Sequence, residues 1–454
     1  MSDSFVRTTE GPRPRAVLVA VQLSQVNDET FASSLRELAR LANTLGIEVV
    51  GQVTQRRGSL APAVVMGAGK LRELAAWTGG TGIVPSYVPP GKGSSSSEED
   101  EELAVEPGEQ QASVVLIDHD LTPSQMRNLE TATGAEVLDR SMVILSIFQR
   151  HARTREARLQ VEIARLNYTA PRLREAHAGG DRQRGGIGGK GAGESSMELD
   201  RRRIRDRVAE LRRELAQIEA QQATRRAARR DQRRVALVGY TNAGKSSLMR
   251  ALTSSEVYVA DKLFATLDTT VRALRPEVNP RILISDTVGF IKKLPHDLVA
   301  SFRSTLSEAL EASLLLYLVD ASDPSFRDQL DVTREVLREI GATEVPSLLV
   351  LNKSDRLSDE ARAELRGEYP DALLVSAKDP DGVRTVREAL IGFFDGDVQE
   401  DSLFVPYALH GRVSAVYDAA EVVAEFHDGE GTHLRVRAPR LALARLKAEL
   451  AAPA

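Results

Sequence analysis

Residues Gly239, Tyr240, Thr241, Asn242, Ala243, Gly244, Lys245 and Ser246 spell Gly-x-x-x-x-Gly-Lys-Ser. That spacing lets backbone N–H groups converge on a phosphate chain. A lysine then reaches the β- and γ-phosphates, and a hydroxyl can ligate Mg²⁺. Asp286, Thr287, Val288 and Gly289 follow as Asp-x-x-Gly. The aspartate can hold a Mg²⁺ water, and the Gly289 N–H can meet the γ-phosphate. Asn352, Lys353, Ser354 and Asp355, then Ser376, Ala377 and Lys378, have the pattern of base-reading loops. A carboxylate at Asp355 accepts from guanine N1–H and its 2-amino group. Adenine lacks both donors, so such a site discriminates by about 10⁴–10⁵. Together the four segments imply a GTPase, with Lys245 and Gly289 touching the reacting phosphate and Mg²⁺ as cofactor. Between the first two lies Thr266, the candidate hydroxyl that closes on Mg²⁺ in the triphosphate state. Thr269 and Thr270 stand in the same stretch, and the residues alone leave all three open.

Phe290 stands directly after Gly289, where many GTPases carry the glutamine that orients the attacking water. A phenyl ring cannot hydrogen-bond water, so intrinsic hydrolysis should be slow until a partner orders the site or supplies the missing group. A single-turnover rate in the isolated protein as fast as that of a stimulated, glutamine-bearing enzyme would contradict this.

These residues need rigid elements to position them. Apolar runs at 235–238, 281–286, 347–351 and 373–375 each end at a motif, as parallel strands delivering ligand loops would. Residues 247–252 continue the phosphate loop as a helix, and 314–320 reads as a central strand with no nucleotide motif. By contrast, 67–70 (Gly-Ala-Gly-Lys) lacks the first glycine and the hydroxyl, and reads as a turn opening a helix.

The 454 residues suit about three domains. The absence of cysteine excludes disulfides, zinc–thiolate clusters and thiol chemistry. The N-terminal residues lack an apolar signal core, and the longest apolar run, 314–319, is too short to span a bilayer. A cytoplasmic protein with no membrane anchor is expected. A net charge of −5 hides an asymmetry: residues 150–234 hold 23 Lys/Arg against 12 Asp/Glu, so the remainder carries −16. A basic segment in an acidic chain points to a polyanionic partner or to a salt-bridged helix face, and charge alone does not choose.

The expected fold is α/β. After a disordered stretch at 1–14 comes an N-terminal parallel α/β domain at 15–139, with a disordered acidic insertion at 88–111. An antiparallel helical hairpin follows at 140–232, then a P-loop GTPase domain at 233–396 and a small C-terminal α+β domain at 402–454. In the hairpin, Leu145, Ala152, Leu159 and Leu166 recur every seven residues, and Pro171 should end that arm. Ile204, Val208, Leu211, Leu215 and Ile218 form the facing 4-3-4-3 seam. The tip at 179–193 holds eight glycines with Arg182, Arg184 and Lys190, a flexible basic probe suited to nucleic-acid crevices.

With these residues in view, the sequence resembles the HflX-type GTPases of the Obg–HflX-like group, from near residue 15 to its end. The hairpin motif carries the resemblance most specifically: Gly-Ala-Gly-Glu-Ser-Ser-Met-Glu-Leu-Asp-Arg-Arg-Arg at 191–203. Val-Leu-Asp-Arg-Ser at 137–141 and Leu-Phe-Ala-Thr-Leu-Asp at 263–268 support it. The resemblance implies that Phe264, Ala265, Thr266, Leu267 and Asp268 form the first switch, with Thr266 its Mg²⁺ ligand. It also implies that an apolar residue at the Phe290 position is normal. It further implies a monomer that binds the large ribosomal subunit in its GTP state. The partner would stimulate hydrolysis, and the protein would act in splitting, rescue or dormancy of stalled or idle ribosomes. Arg182, Arg184, Lys190, Arg201, Arg202 and Arg203 would meet rRNA. Thr269 departs from the family's frequent proline, and Ser195-Ser196-Met197 from its commoner Thr-Gln-Leu. A regulatory switch acting on a protein effector is the rival reading. Steep salt sensitivity of binding would favour RNA.

Overall fold

The computed structural model describes residues 13–84, 111–176, 196–227, 233–254, 263–264, 269–292, 308–395 and 398–439, with Leu443, Leu446, Lys447 and Leu450. They divide into two compact units. One runs to Leu215 and includes Leu263 and Phe264, and the other holds the remaining described residues.

In the first unit, β1 (Arg15–Leu23), β2 (Glu48–Arg57), β3 (Val114–Ile117) and β4 (Glu136–Asp139) form a parallel sheet of order β2-β1-β3-β4. The central β1 is an almost unbroken apolar run because both of its faces are covered. The connecting helices start where side chains can cap them. The Asn27 side chain accepts from the Thr30 N–H at α1 (Asp28–Leu45). Thr122 and Gln125 form a reciprocal capping box at α3 (Pro123–Thr133). Between them, α2 (Ala68–Thr78) begins directly after Gly67, so the 67–70 stretch is a helix start, as its sequence implies. Val17, Val19, Val21, Val115 and Ile117 pack with Leu71, Leu74, Met126 and Leu129 in one core.

Two features of the first helical arm differ from the sequence expectation. The seven-residue recurrence suggested one continuous helix, but the chain makes α4 (Arg140–His151) and α5 (Arg155–Ala176), parted at 152–154. Thr154 Oγ1 accepts from the Ala157 N–H (3.2 Å) and so starts a new helix. Arg158 Nε donates to the Ala152 carbonyl freed at the break (3.2 Å). Pro171 lies inside α5 instead of ending it. Its missing N–H costs one helical hydrogen bond, and neighbours brace that turn. Thr169 Oγ1 donates to Arg165 O (2.9 Å). The Arg172 guanidinium, 3.4 Å above the Tyr168 ring, donates to Tyr168 O (2.8 Å) and to buried Asp139 (3.1 Å).

α5 runs antiparallel to α6 (Ser196–Ala227), since Arg155 pairs with Glu214 and Arg207 with Glu162. Val208 and Leu211 of the expected seam are buried, as are Leu159 and Ile163 on α5.

The second unit carries a six-stranded sheet of order β10-β9-β8-β5-β7-β6. Its strands are β5 (Arg233–Gly239), β6 (Thr270–Ala273), β7 (Ile282–Asp286), β8 (Leu314–Asp320), β9 (Ser347–Asn352) and β10 (Leu373–Leu374). All neighbours are parallel except β6 against β7. Helices α7 (Lys245–Thr253), α8 (Phe326–Ile340), α9 (Asp359–Glu368) and α10 (Pro380–Asp395) connect them. The carboxyl ends of β5, β7, β8 and β9 therefore line up along one edge, where open α/β sheets bind ligands. A smaller antiparallel sheet follows, with β11 (Val398–Pro406), β12 (Glu421–His427) and β13 (Gly431–Pro439) in the order β11-β13-β12. It packs on α11 (Val413–Ala419) through Leu403, Val405, Val416, Leu434 and Val436.

No described helix is long and apolar enough to cross a membrane. The expectations for 1–12, for the acidic residues of 88–110, for the tip at 179–193 with Arg182, Arg184 and Lys190, and for Ala265, Thr266, Leu267 and Asp268 fall outside the described residues.

Candidate functional site

The phosphate loop and the Asp-x-x-Gly motif meet at the ends of β5 and β7. Lys245 opens α7 and is buried, with its Nζ donating to Gly239 O (3.0 Å) and Tyr240 O (2.9 Å). Burial pushes its pKa down to about 8, against the opposing pull of Asp286. The Ser246 hydroxyl donates to Asp286 Oδ2 (2.6 Å), and Asp286 is fully buried. The Thr287 hydroxyl donates to Leu237 O (2.7 Å), which fixes the turn that follows Asp286.

Gly289 is forced by packing: a Cβ there would stand 2.8 Å from Thr241 Cα and 3.0 Å from Lys245 Nζ. Phe290 is buried and makes a parallel bridge with Tyr240. It donates its N–H to Gly239 O (3.2 Å) and accepts from the Thr241 N–H (2.8 Å). The Tyr240 phenol accepts from the Lys292 N–H (2.7 Å). The apolar residue in the glutamine position thus ties the Asp-x-x-Gly motif to the phosphate loop.

The base-reading motifs are joined to the same loop. Asn352 Nδ2 donates to Ala243 O (2.8 Å), while its Oδ1 accepts from the Ala377 N–H (2.9 Å). One carboxamide therefore ties the phosphate loop and the two base-reading loops together. Gly244, at φ 98°, has no space for a side chain, because a Cβ would lie 2.3 Å from Asn352 Nδ2. Lys353 Nζ donates to Asn242 O (2.9 Å) and to Asp320 Oδ2 (2.7 Å). Ser376 Oγ donates to Asp355 Oδ1 (2.6 Å) and holds that carboxyl below the usual carboxylate range, partly offset by burial. The Lys378 N–H donates to the same hydroxyl (3.3 Å).

Sequence reasoning missed Asp320, having assigned no nucleotide motif to its strand. The available signal was an acid at the carboxyl end of an apolar run, the same signal that singled out Asp286. Phe264 is brought elsewhere. It belongs to the first unit, where its ring packs edge-on against Phe148 with centroids 4.6 Å apart. Thr270, one of the rival hydroxyls, lies in β6 opposite Asp286. On the hairpin, Arg202 and Arg203 are exposed, and Arg203 pairs with Asp200 (3.0 Å).

Mg²⁺ suits these residues. The Ser246 hydroxyl and Asp286 carboxylate are hard oxygen donors already side by side. No group of three or more His, Cys, Asp or Glu that could cage a metal occurs among the described residues. A cation here would therefore complete its shell with water and phosphate oxygens, which is how Mg²⁺ is usually held. Thr241 Oγ1 is buried in the phosphate loop with no hydrogen-bond partner among the described residues, a polar atom suited to meet a phosphate oxygen.

Residues 32–84 and 93–149 match the family described as GTP-binding GTPase N-terminal. Residues 151–229 match the GTP-binding GTPase Middle Region, and 234–353 match the 50S ribosome-binding GTPase. The GTPase HflX of Gluconacetobacter diazotrophicus is 58% identical over 456 residues, covering 98% of this chain and 99% of the relative. That of Escherichia coli K12 is 38% identical over 431 residues, covering 94% and 93%. Among solved structures, a GTP-binding protein from Sulfolobus solfataricus in complex with GDP is similar at 22% identity. It covers 83% of this chain and 99% of its own, with a TM-score of 0.42.

Proposed function

This chain belongs to the HflX family of GTPases and hydrolyses GTP, and we propose that it does so on the large ribosomal subunit, which it binds in its GTP state. The observation that carries the proposal is the basic antiparallel pair of α5 and α6, where Arg201, Arg202 and Arg203 follow one another on one turn. Such a rod presents cations to an RNA backbone without needing sequence. The description of the family matched at 234–353 supports the same partner.

In this reading Lys245 holds the β- and γ-phosphates, and Gly289 donates its N–H to the γ-phosphate. Asp355 and Lys378 take the guanine, and Thr266 closes the first switch. Ser246, Thr266 and, through water, Asp286 would hold Mg²⁺. When bound, the ion neutralises charge on the phosphate oxygens. Phe290 supplies no group to orient water, so the ribosome provides it or orders the switches that do. Subunit splitting, with rescue or dormancy of idle ribosomes, is the cellular work that follows.

Co-pelleting with purified large subunits tests this in a non-hydrolysable GTP analogue, in GDP and without nucleotide. Binding should require the analogue and weaken steeply with salt. Changing Arg201, Arg202 and Arg203 to glutamine should lower the salt slope by about one unit per lost phosphate contact. GTP affinity should be unchanged. Loss of GTP binding in that variant would make the arginines structural, and no co-pelleting in any state would move the search to protein effectors.

A further inference from the structure

The C-terminal sheet has an outer face that the described residues leave exposed. Antiparallel register sets Phe404 opposite His433 and His433 opposite Phe426, one residue from each strand. Leu403, Val405, Leu434 and Val436 take the inner face, so alternation sends the aromatic row outward. Its rings run side by side. Phe404 and His433 have centroids 4.7 Å apart and planes tilted by 39°, and Phe426 and His433 are 5.4 Å apart at 35°. Phe426 is 61% exposed and Phe404 39%.

Phe404 has a structural duty, because its ring lies where a Cβ at Gly431 would stand, 2.8 Å from Cε2. Phe426 has none that its exposure suggests. Beside the row, Arg435 and Arg437 emerge on the same face of β13, each more than half exposed. Glu400 bridges both guanidinium groups (3.2 and 3.3 Å), and Asp428 Oδ2 meets His433 Nε2 (2.7 Å). These acids hold the nitrogen groups in place side by side. All three outward positions of the central strand between 433 and 437 thus carry a basic side chain.

We propose that this face is a stacking platform for unpaired RNA bases, with Phe404, His433 and Phe426 taking the rings and Arg435 and Arg437 the phosphates. A row of flat aromatic groups bordered by guanidinium groups is chemistry that binds single-stranded RNA. The inference deepens the reading above and rests on it for the identity of the anionic partner as RNA.

The test uses the full chain and an eight-nucleotide uridine RNA carrying 5-iodouridine. Photocrosslinks should map to Phe404, His433 or Phe426. Phe426→Ala should weaken binding of the unmodified octamer by about tenfold, the effect of losing one stacked base. Phe426→Tyr should bind like the parent, and GTP affinity should stay constant in both, which reports intact folding. Crosslinks confined to 155–227, no octamer binding, or an affinity indifferent to Phe426→Ala would each overturn the proposal. Failed subunit co-pelleting with ring crosslinks intact would sink the ribosomal reading and leave the platform standing. Intact co-pelleting with no crosslinks at the row would do the reverse.

Discussion

Replacing Asp355 by asparagine should turn a guanine site into a xanthine site. The carboxylate is held ready by the Ser376 hydroxyl, which donates to Oδ1 at 2.6 Å and keeps the acid ionised by lowering its pKa. An ionised carboxylate offers only acceptors, which match the two donors on the Watson–Crick edge of guanine. A carboxamide keeps one acceptor and gains one donor, so guanine's 2-amino group meets an N–H. Xanthine presents a carbonyl at that position and restores the pair. Two charge-assisted hydrogen bonds at about 1.5–3 kcal/mol each set the scale, so GTP affinity should fall by about 10²–10⁴-fold. Affinity for xanthosine triphosphate should rise correspondingly. Competition of the two nucleotides for the same protein measures the ratio directly. A variant that still prefers GTP by the parental factor would remove Asp355 from base reading. Asn352 makes a suitable control, because its carboxamide joins Ala243 O to the Ala377 N–H. Its loss should weaken guanine and xanthine nucleotides alike.

What the sequence could reveal depended on how local the physics was. Gly244 and Lys245 were readable because the loop needs a positive φ at the glycine and a cation next to it, and both demands fall on adjacent residues. Asp286 and Asp355 were readable because each follows an apolar run in a short motif. Asp320 closes an equally apolar strand, but its use depends on Lys353, which arrives from another strand end. No local pattern records that meeting. The helical arm shows the opposite error. A seven-residue recurrence survives a break at 152–154, because the break is set by the Thr154 hydroxyl and not by the apolar positions. Pro171 was overruled by a nonlocal brace, as Arg172 and Tyr168 gather on Asp139 from β4. The Phe404–His433–Phe426 row was invisible for the same reason, since it exists only in the register of three strands.

Lys245→Ala should abolish useful nucleotide binding and also change how stability responds to pH. The lysine is buried, and its ammonium group donates to Gly239 O and Tyr240 O of the phosphate loop. Removing one member of a buried charge pair costs about 3–5 kcal/mol, so GTP affinity should drop by about 10²–10⁴-fold. The second effect follows from burial, which brings the lysine down to about 8 in the nucleotide-free protein from an ordinary value of 10.5. Between those values the unfolded chain binds more protons than the folded one, so stability from this group rises with pH across that window. Below about 8 both states are protonated, and the full penalty, about 3 kcal/mol, is in place. GTP reverses the sign. Phosphates favour the charged form, so affinity should fall as pH climbs past 8 and the lysine loses its proton. Denaturant titrations of the nucleotide-free parent and of Lys245→Ala, at pH 7.5 and near pH 10, separate the two effects. The parent should gain stability relative to the variant over that interval, and its GTP affinity should already decline just above pH 8, before guanine N1–H begins to ionise. A parent whose stability tracks the variant at both pH values would mean that water reaches Lys245. The lysine would then bind phosphate as an ordinary surface cation and not as a charge that the loop holds out of water for its ligand.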